Sequence, residues 1–211
     1  MRFKKEMTQL QLGQSLIETL FVLMVIALMC GIAASSMRSM QTNIQIQTAA
    51  QDMLNDVLTA RTEALRREKR ITLCVAALVS SPSSVSMEEN VSVFPRQCAV
   101  ALSHSGNALP TWQQGWMMFV DDNNNAILDE GEVLLQRHPS LPMLVSATGN
   151  ATVNRYISFG ANGRSLALNG GFQAGTLTFC ERLKSSNEGW LLIINAIGRP
   201  RLEKTQMANC I

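Results

Sequence analysis

The chain has 211 residues, 46% of them hydrophobic and 16% charged, with a formal net charge of +2. That length fits one globular domain plus an appendage, and that balance excludes a chain that is disordered throughout. Two histidines far apart in sequence, His104 and His138, and the absence of any Cys-x-x-Cys speak against a zinc site.

The first thirteen residues carry Arg2, Lys4 and Lys5 ahead of an apolar run with no charged residue between Leu20 and Ala34. A basic flank followed by an apolar stretch marks membrane targeting with the N-terminus held in the cytoplasm. A secretory signal peptide is the competing reading, but the only candidate cleavage segment after the run is Gly31 to Ser36, and an amphipathic pattern continues past it. At the boundary between leader and apolar run stands Gly13-Gln14-Ser15-Leu16-Ile17-Glu18. This segment is similar to the type IV prepilin motif. The resemblance implies cutting by a prepilin peptidase between Gly13 and Gln14, N-methylation of Gln14, and a register-setting glutamate at the fifth mature position, here Glu18. The residue after the scissile bond is usually phenylalanine in that family, and this chain has Gln14 there. A carboxylate inside an apolar segment costs several kcal/mol unless it is paired or near the interface, on the order of the values for intramembrane charges. The competing role for Glu18 is to snorkel to the lipid headgroups.

From residue 37 to about residue 70, Met40, Ile44, Ala50, Met53, Leu54, Val57, Leu58, Ala64 and Leu65 recur at three- and four-residue spacing, with polar residues between them. That period predicts an amphipathic helix. No proline precedes Pro82, so one helix is expected to run from Leu16 to about Arg70. Arg61, Arg66, Arg67, Lys69 and Arg70, interleaved with Glu63 and Glu68, read as intrahelical pairs on a solvated face; a phosphate-binding patch is the alternative.

Beyond residue 70 the period changes. Strands are predicted over 71–79, 91–94, 98–102, 116–120, 133–137, 156–159, 175–180 and 190–197, separated by the turn-forming clusters SSPSS, DDNNN, ATGN, ALNGG and SSNEG. One long helix followed by many strands is an α+β pattern, with the helix packed on an antiparallel sheet. The expected division is leader 1–13, transmembrane helix half 14–36, amphipathic helix half 37–70 and a β-rich periplasmic head over 71–211. Of the five cysteines, Cys30 lies in the apolar run and four lie in the exported part. Four cysteines allow three connectivities. Cys74–Cys98 and Cys180–Cys210 are expected because each pair closes a local loop; buried free thiols are the alternative.

Two further segments carry candidate chemistry. Asp121, Asn123, Asn125, Asp129 and Glu132 fall at the first, third, fifth, ninth and twelfth places of an EF-hand-like loop, a spacing that lets oxygen ligands wrap a calcium ion. The sixth place is Ala126 where that loop needs glycine, and a polar hairpin connection is the competing reading. No enzyme is expected: Ser103, His104 and Ser105 lack a nucleophile-elbow context, and there is no glycine-rich phosphate loop.

In order along the chain stand Gly115-Trp116-Met117-Met118-Phe119-Val120-Asp121, Gly131-Glu132-Val133-Leu134, Ile157-Ser158-Phe159 with Gly163, Thr178-Phe179-Cys180 and Gly198-Arg199-Pro200-Arg201. With these the chain resembles the GspH/FimT family of minor pilins and pseudopilins, over nearly its whole length. The resemblance implies a type IV pilin-like fold and a non-catalytic subunit of a pilus at the bacterial inner membrane, with other minor and major pilins as partners. A minor pseudopilin of a type II secretion system is the alternative. In the FimT branch, the glycine–arginine–any–arginine pattern implies binding of double-stranded DNA for uptake in natural transformation. Carried to this chain it assigns Gly198, Arg199 and Arg201, with Lys204 close behind, on a mobile turn after the 190–197 strand. Removing residues 1–13 leaves equal numbers of acidic and basic residues, so any affinity for DNA has to come from local clustering.

Overall fold

The computed structural model describes residues 16–77, 97–98, 111–182, 187–207 and 210, without the side chains of 32–36, 38, 39, 77, 97 and 187. The processing pair Gly13 and Gln14, the segment 91–94, most of 98–102, and Ser103, His104 and Ser105 lie outside these residues. The chain divides into two compact units, Met1–Gln41 and Thr42–Ile211.

Helix α1 spans Leu16–Arg67 without interruption, as the absence of proline requires. It ends where Glu68 takes a left-handed conformation, φ 55°. Through Met1–Gln41 the large apolar side chains from Leu16 to Met29 are all exposed, from 37% at Val25 to 80% at Leu16. Among the described residues, no helix is long and apolar enough to cross a membrane.

Within Thr42–Ile211 the helix turns one face inward. Thr42, Ile46, Ala49, Ala50, Met53, Val57, Ala60 and Ala64 are buried at helical spacing. The expected apolar face is corrected in part: Met40, Ile44, Leu58 and Leu65 are exposed, and the buried stripe is rich in alanine. Ala49, Ala50, Ala60 and Ala64 are apolar enough to be buried, a use that a hydropathy pattern weighted to leucine and isoleucine does not register.

Nine strands follow among the described residues. One antiparallel sheet has the order β2-β1-β3-β4, with β6 also paired to β1: β1 is Ile71–Ala77, β2 Gln97–Cys98, β3 Trp116–Val120, β4 Leu134–His138 and β6 Tyr156–Phe159. The other runs β5-β7-β8-β9, with β5 Val145–Gly149, β7 Gly175–Glu181, β8 Asn187–Ile194 and β9 Pro200–Met207. Both sheets contribute to one core with the buried helix face, including Leu73, Met118, Ile157, Phe159, Phe179 and Leu192. A smaller cluster, Cys74, Cys98, Met117 and Phe119, covers the other side of β1 and β3, which is why β3 is buried along its whole length.

Two strands differ from expectation. Residues 147–150, expected as a turn, lie mostly in β5: Ala147 pairs with Phe179 and Thr148 with Thr178, and the alternating burial of Val145 and Ala147 outweighs the turn preference of Gly149. Residues 200–207 form β9, in register with β8 from Ile194↔Pro200 to Asn187↔Met207. Its sequence PRLEKTQM has little apolar alternation because it is an edge strand, with Pro200 at its start where a missing N–H is tolerated.

Two disulfides staple the sheets. Cys74 and Cys98 join β1 to β2 with Cα atoms 5.4 Å apart, and Cys180 on β7 joins Cys210 at 5.7 Å.

Candidate functional site

The β8–β9 connection is a tight turn closed by its own backbone. Gly198 N–H donates to the Asn195 carbonyl at 2.9 Å, and the Asn195 side-chain oxygen accepts from Arg199 N–H at 2.8 Å. Gly198 is buried with φ +76°, a conformation that suits glycine. Space is the second constraint: a Cβ on Gly198 would lie 2.6 Å from the Gly163 carbonyl oxygen and 3.0 Å from Ser165 N. The motif glycine therefore sets where the next residue stands, and Arg199 leaves this fixed turn with an exposed side chain.

The turn it packs against is also built on glycine. Gly163 has φ +68°, donates to the Gly160 carbonyl at 2.8 Å, and sits against Leu65 of α1. Its carbonyl oxygen accepts from Arg61 Nε at 3.0 Å. Arg164 follows Gly163 and is exposed. Helix α1 and two glycine turns thus meet at one carbonyl, and an arginine belongs to each of the three.

The four residues assigned to DNA do not all stand on the turn after β8. Arg201 lies in β9 opposite Ile193, and its Nε pairs with Glu203 at 3.1 Å. Lys204 lies opposite Trp190 and pairs with Glu188. Successive strand positions point to opposite faces, so Arg201 and Lys204 project from opposite sides of β9. Arg199 remains on the turn, and no carboxylate pairs with it among the described residues.

The loop between β3 and β4 brings Asp121, Asn123, Asn125, Asp129 and Glu132 together, but as donors and acceptors to one another. Asp121 accepts from Asn125 N–H at 3.0 Å, Ala126 N–H at 3.1 Å and Thr72 Oγ1 at 2.7 Å. Asn123 and Asn125 both donate their side-chain amides to Asp129, at 2.6 and 2.7 Å. Glu132 accepts from the backbone of Asp122 and Asp129. Ala126, at the place where an EF-hand loop needs glycine, is buried with φ 57°. Among the described residues, no group of three His, Cys, Asp or Glu side chains is placed to hold a metal. A calcium ion here would have to displace the bonds that shape the loop.

Glu18 lies in α1 and is exposed. Further along the helix, Glu63 accepts two hydrogen bonds from Arg66 and one from Arg67, and these lower its pKa from 4.5 to about 2. Lys69 pairs with Asp122 at 2.8 Å. Three of the five expected basic residues are therefore locally neutralised; Arg61 and Arg70 instead reach across to the carbonyls of Gly163 and Ala167.

Sequence reasoning missed a buried polar clasp between helix and sheet. Asp56 of α1, 6% exposed, accepts from Trp116 Nε1 at 2.7 Å and from Gln136 Nε2 at 2.8 Å. His138 stacks on the Trp116 indole, ring centroids 3.8 Å apart, with Nε2 3.6 Å from Asp52. The one available signal was an aspartate on the apolar face of the helix pattern.

The family model described as "Type II transport protein GspH" matches residues 49–198. Two crystal structures of the type IV minor pilin FimU from Pseudomonas aeruginosa are similar. One has 20% identity over 77% of this chain and 90% of that chain, with a TM-score of 0.49. The other has 21% identity over 75% and 92%, with a TM-score of 0.47. No curated protein matches the sequence. The family match spans well over half of the chain, which belongs to the GspH/FimT family of minor pilins and pseudopilins.

Proposed function

We propose that this protein is a minor pilin, a structural subunit that helps initiate type IV pilus assembly and performs no catalysis. The observation that carries the reading is the run of exposed apolar side chains from Leu16 to Met29, interrupted by a single charge, Glu18. Consecutive positions from Leu20 to Ile26 are exposed, so apolar surface faces every side of the helix. Each such side chain gains about 1.5–3 kcal/mol on leaving water. Lipid covers them before assembly; the single pass through the inner membrane takes in the uncharged sequence that runs on to Ala34 beyond the described side chains, and residues 71–211 lie in the periplasm. Helices of neighbouring pilins cover them afterwards. Prepilin peptidase removes residues 1–13, Gln14 is methylated, and Glu18 sets the axial register by pairing with the N-terminus of an adjacent subunit.

Two observations bear on the choice of machine. The description of the matching family model favours the second reading, a minor pseudopilin of a type II secretion system. The Gly198-Arg199-Pro200-Arg201 pattern favours the pilus, because its resemblance is to the FimT branch. Deleting the gene in its native host separates them. The pilus reading expects loss of surface pili with secreted proteins still exported, restored by complementation. Intact pili with secreted proteins trapped in the periplasm would establish the secretion reading instead.

The same head is proposed to capture double-stranded DNA for uptake in natural transformation. Support comes from Arg199, exposed on a fixed turn without a carboxylate partner among the described residues. Arg199→Gln is expected to lower transformation frequency while pilus number stays normal. Unchanged transformation would remove this activity and leave the structural one.

A further inference from the structure

We infer that the phosphate-contacting surface of this protein is a three-arginine seam, Arg61–Arg164–Arg199, built where helix α1 meets two glycine turns, and that Arg201 and Lys204 on β9 are not part of it. The inference rests on the DNA reading above and assigns its contact residues differently.

Ion pairing already engages the cations of β9 and several at the end of α1. Arg66 and Arg67 are paired with Glu63, Lys69 with Asp122, Arg201 with Glu203 and Lys204 with Glu188. On β9 a neighbouring carboxylate offsets the charge of each cation towards a phosphate. Arg61, Arg164 and Arg199 have no carboxylate partner among the described residues, so their charge is available to a polyanion.

Geometry brings the three together although they are distant in sequence. The Gly163 carbonyl oxygen accepts from Arg61 Nε at 3.0 Å, and the Cβ direction of Gly198 points to within 2.6 Å of that same oxygen. Arg164 and Arg199 are the residues that follow those glycines, each one Cα–Cα step of about 3.8 Å further along. Arg61 spends only its Nε on the carbonyl. A guanidinium has five N–H donors in a planar fork, so its terminal nitrogens stay available to a phosphate oxygen.

The seam is also rigid where rigidity helps binding. Gly163 and Gly198 are buried, both have positive φ, and Gly198 has no room for a side chain. Backbone already fixed before the ligand arrives reduces the ordering cost of each contact. Arg164 and Arg199 are exposed, which suits an extended phosphate backbone reaching the surface better than an enclosed small anion.

The test is a salt titration of full-length protein in detergent micelles against a fluorescently labelled mixed-sequence duplex. Arg164→Gln and Arg199→Gln are each expected to reduce the slope of log Kobs against log salt by about 0.9. Arg61→Lys, which keeps the charge, is expected to retain the slope, and Arg61→Gln to lower it. Arg201→Gln combined with Lys204→Gln is expected to leave the slope unchanged. Circular dichroism checks each fold; because Arg164 and Arg199 are exposed, their variants carry the test even if Arg61→Gln unfolds. A wild-type slope in Arg164→Gln, or an equal fall in the β9 double variant, overturns the seam while DNA binding stands. No wild-type binding at low salt overturns the DNA reading and the seam together.

Discussion

Gly198 and the carbonyl of Gly163 are in such close contact that a Cβ on Gly198 would lie 2.6 Å from the oxygen. Gly198→Ala therefore carries two penalties, a left-handed backbone at φ +76° and an overlap with rigid main chain. Their sum is expected to exceed about 2 kcal/mol. Gly170→Ala is the matched control: φ there is +82°, but nothing lies within 4 Å of the added carbon. Only the conformational cost of about 1 kcal/mol should remain. Urea unfolding of both variants measures the difference, and equal losses would mean that the Gly163–Gly198 contact contributes nothing.

Asp56 joins helix to sheet through two buried donors, the Trp116 indole and the Gln136 amide. Asp56→Ala leaves both unsatisfied and is expected to lower stability by about 2–4 kcal/mol. Asp56→Asn keeps one acceptor oxygen and should cost less. Denaturant unfolding followed by tryptophan fluorescence checks both, and an unperturbed Asp56→Ala would show that solvent replaces the carboxylate.

Glu63 is expected to titrate near pH 2, because its hydrogen bonds to Arg66 and Arg67 hold the charged form. The sign follows from linkage: a carboxyl whose folded pKa is depressed contributes stability above its unfolded value of 4.5, and that contribution is lost as pH falls towards 2. Carbon-detected NMR of the carboxyl should show the low midpoint in the wild type. In Arg66→Ala with Arg67→Ala the midpoint should rise towards 4.5. A wild-type midpoint already at the ordinary value would contradict the pairing.

The two disulfides close loops with sequence separations of 24 and 30. Loop-closure entropy assigns each about 3.5 kcal/mol. Replacing Cys74 and Cys98 by serine is expected to lower the unfolding free energy by about that much, and doing the same to Cys180 and Cys210 by a similar amount. Serine pairs that unfold like the wild type would place the stabilising contacts elsewhere.

Local pattern carried much of this fold. Residues 116–120 and 156–159 were readable as strands because β-branched, aromatic and sulfur-containing side chains cluster there between turn formers. Helix α1 was readable from its period and the absence of proline. What escaped depends on contacts distant in sequence. β9 carries Arg201, Glu203 and Lys204 with few apolar residues, and only its pairing with β8 makes it a strand. The Arg61–Gly163 bond spans 102 positions and the Asp56–Trp116 bond 60, so no local spacing announces either. Gly198 was noticed as part of a motif, but its reason for being glycine lies in a turn thirty-odd residues earlier in the chain. The Asn-rich loop shows the reverse case. Its spacing matched a cation-binding pattern, while its amides and carboxylates satisfy one another and the backbone around them.

Processing as a prepilin and entry into a filament are the two properties that define a minor pilin. The direct measurement is intact-mass spectrometry of sheared surface filaments and of the membrane fraction from the native host. The expected result is a chain beginning at methylated Gln14 in both fractions, scarce in the filaments relative to the major subunit. In Glu18→Ala the membrane form should persist while the filament form falls. A chain still carrying residues 1–13, a chain beginning near Ser35, or its absence from filaments and from any secretion pseudopilus would contradict the reading.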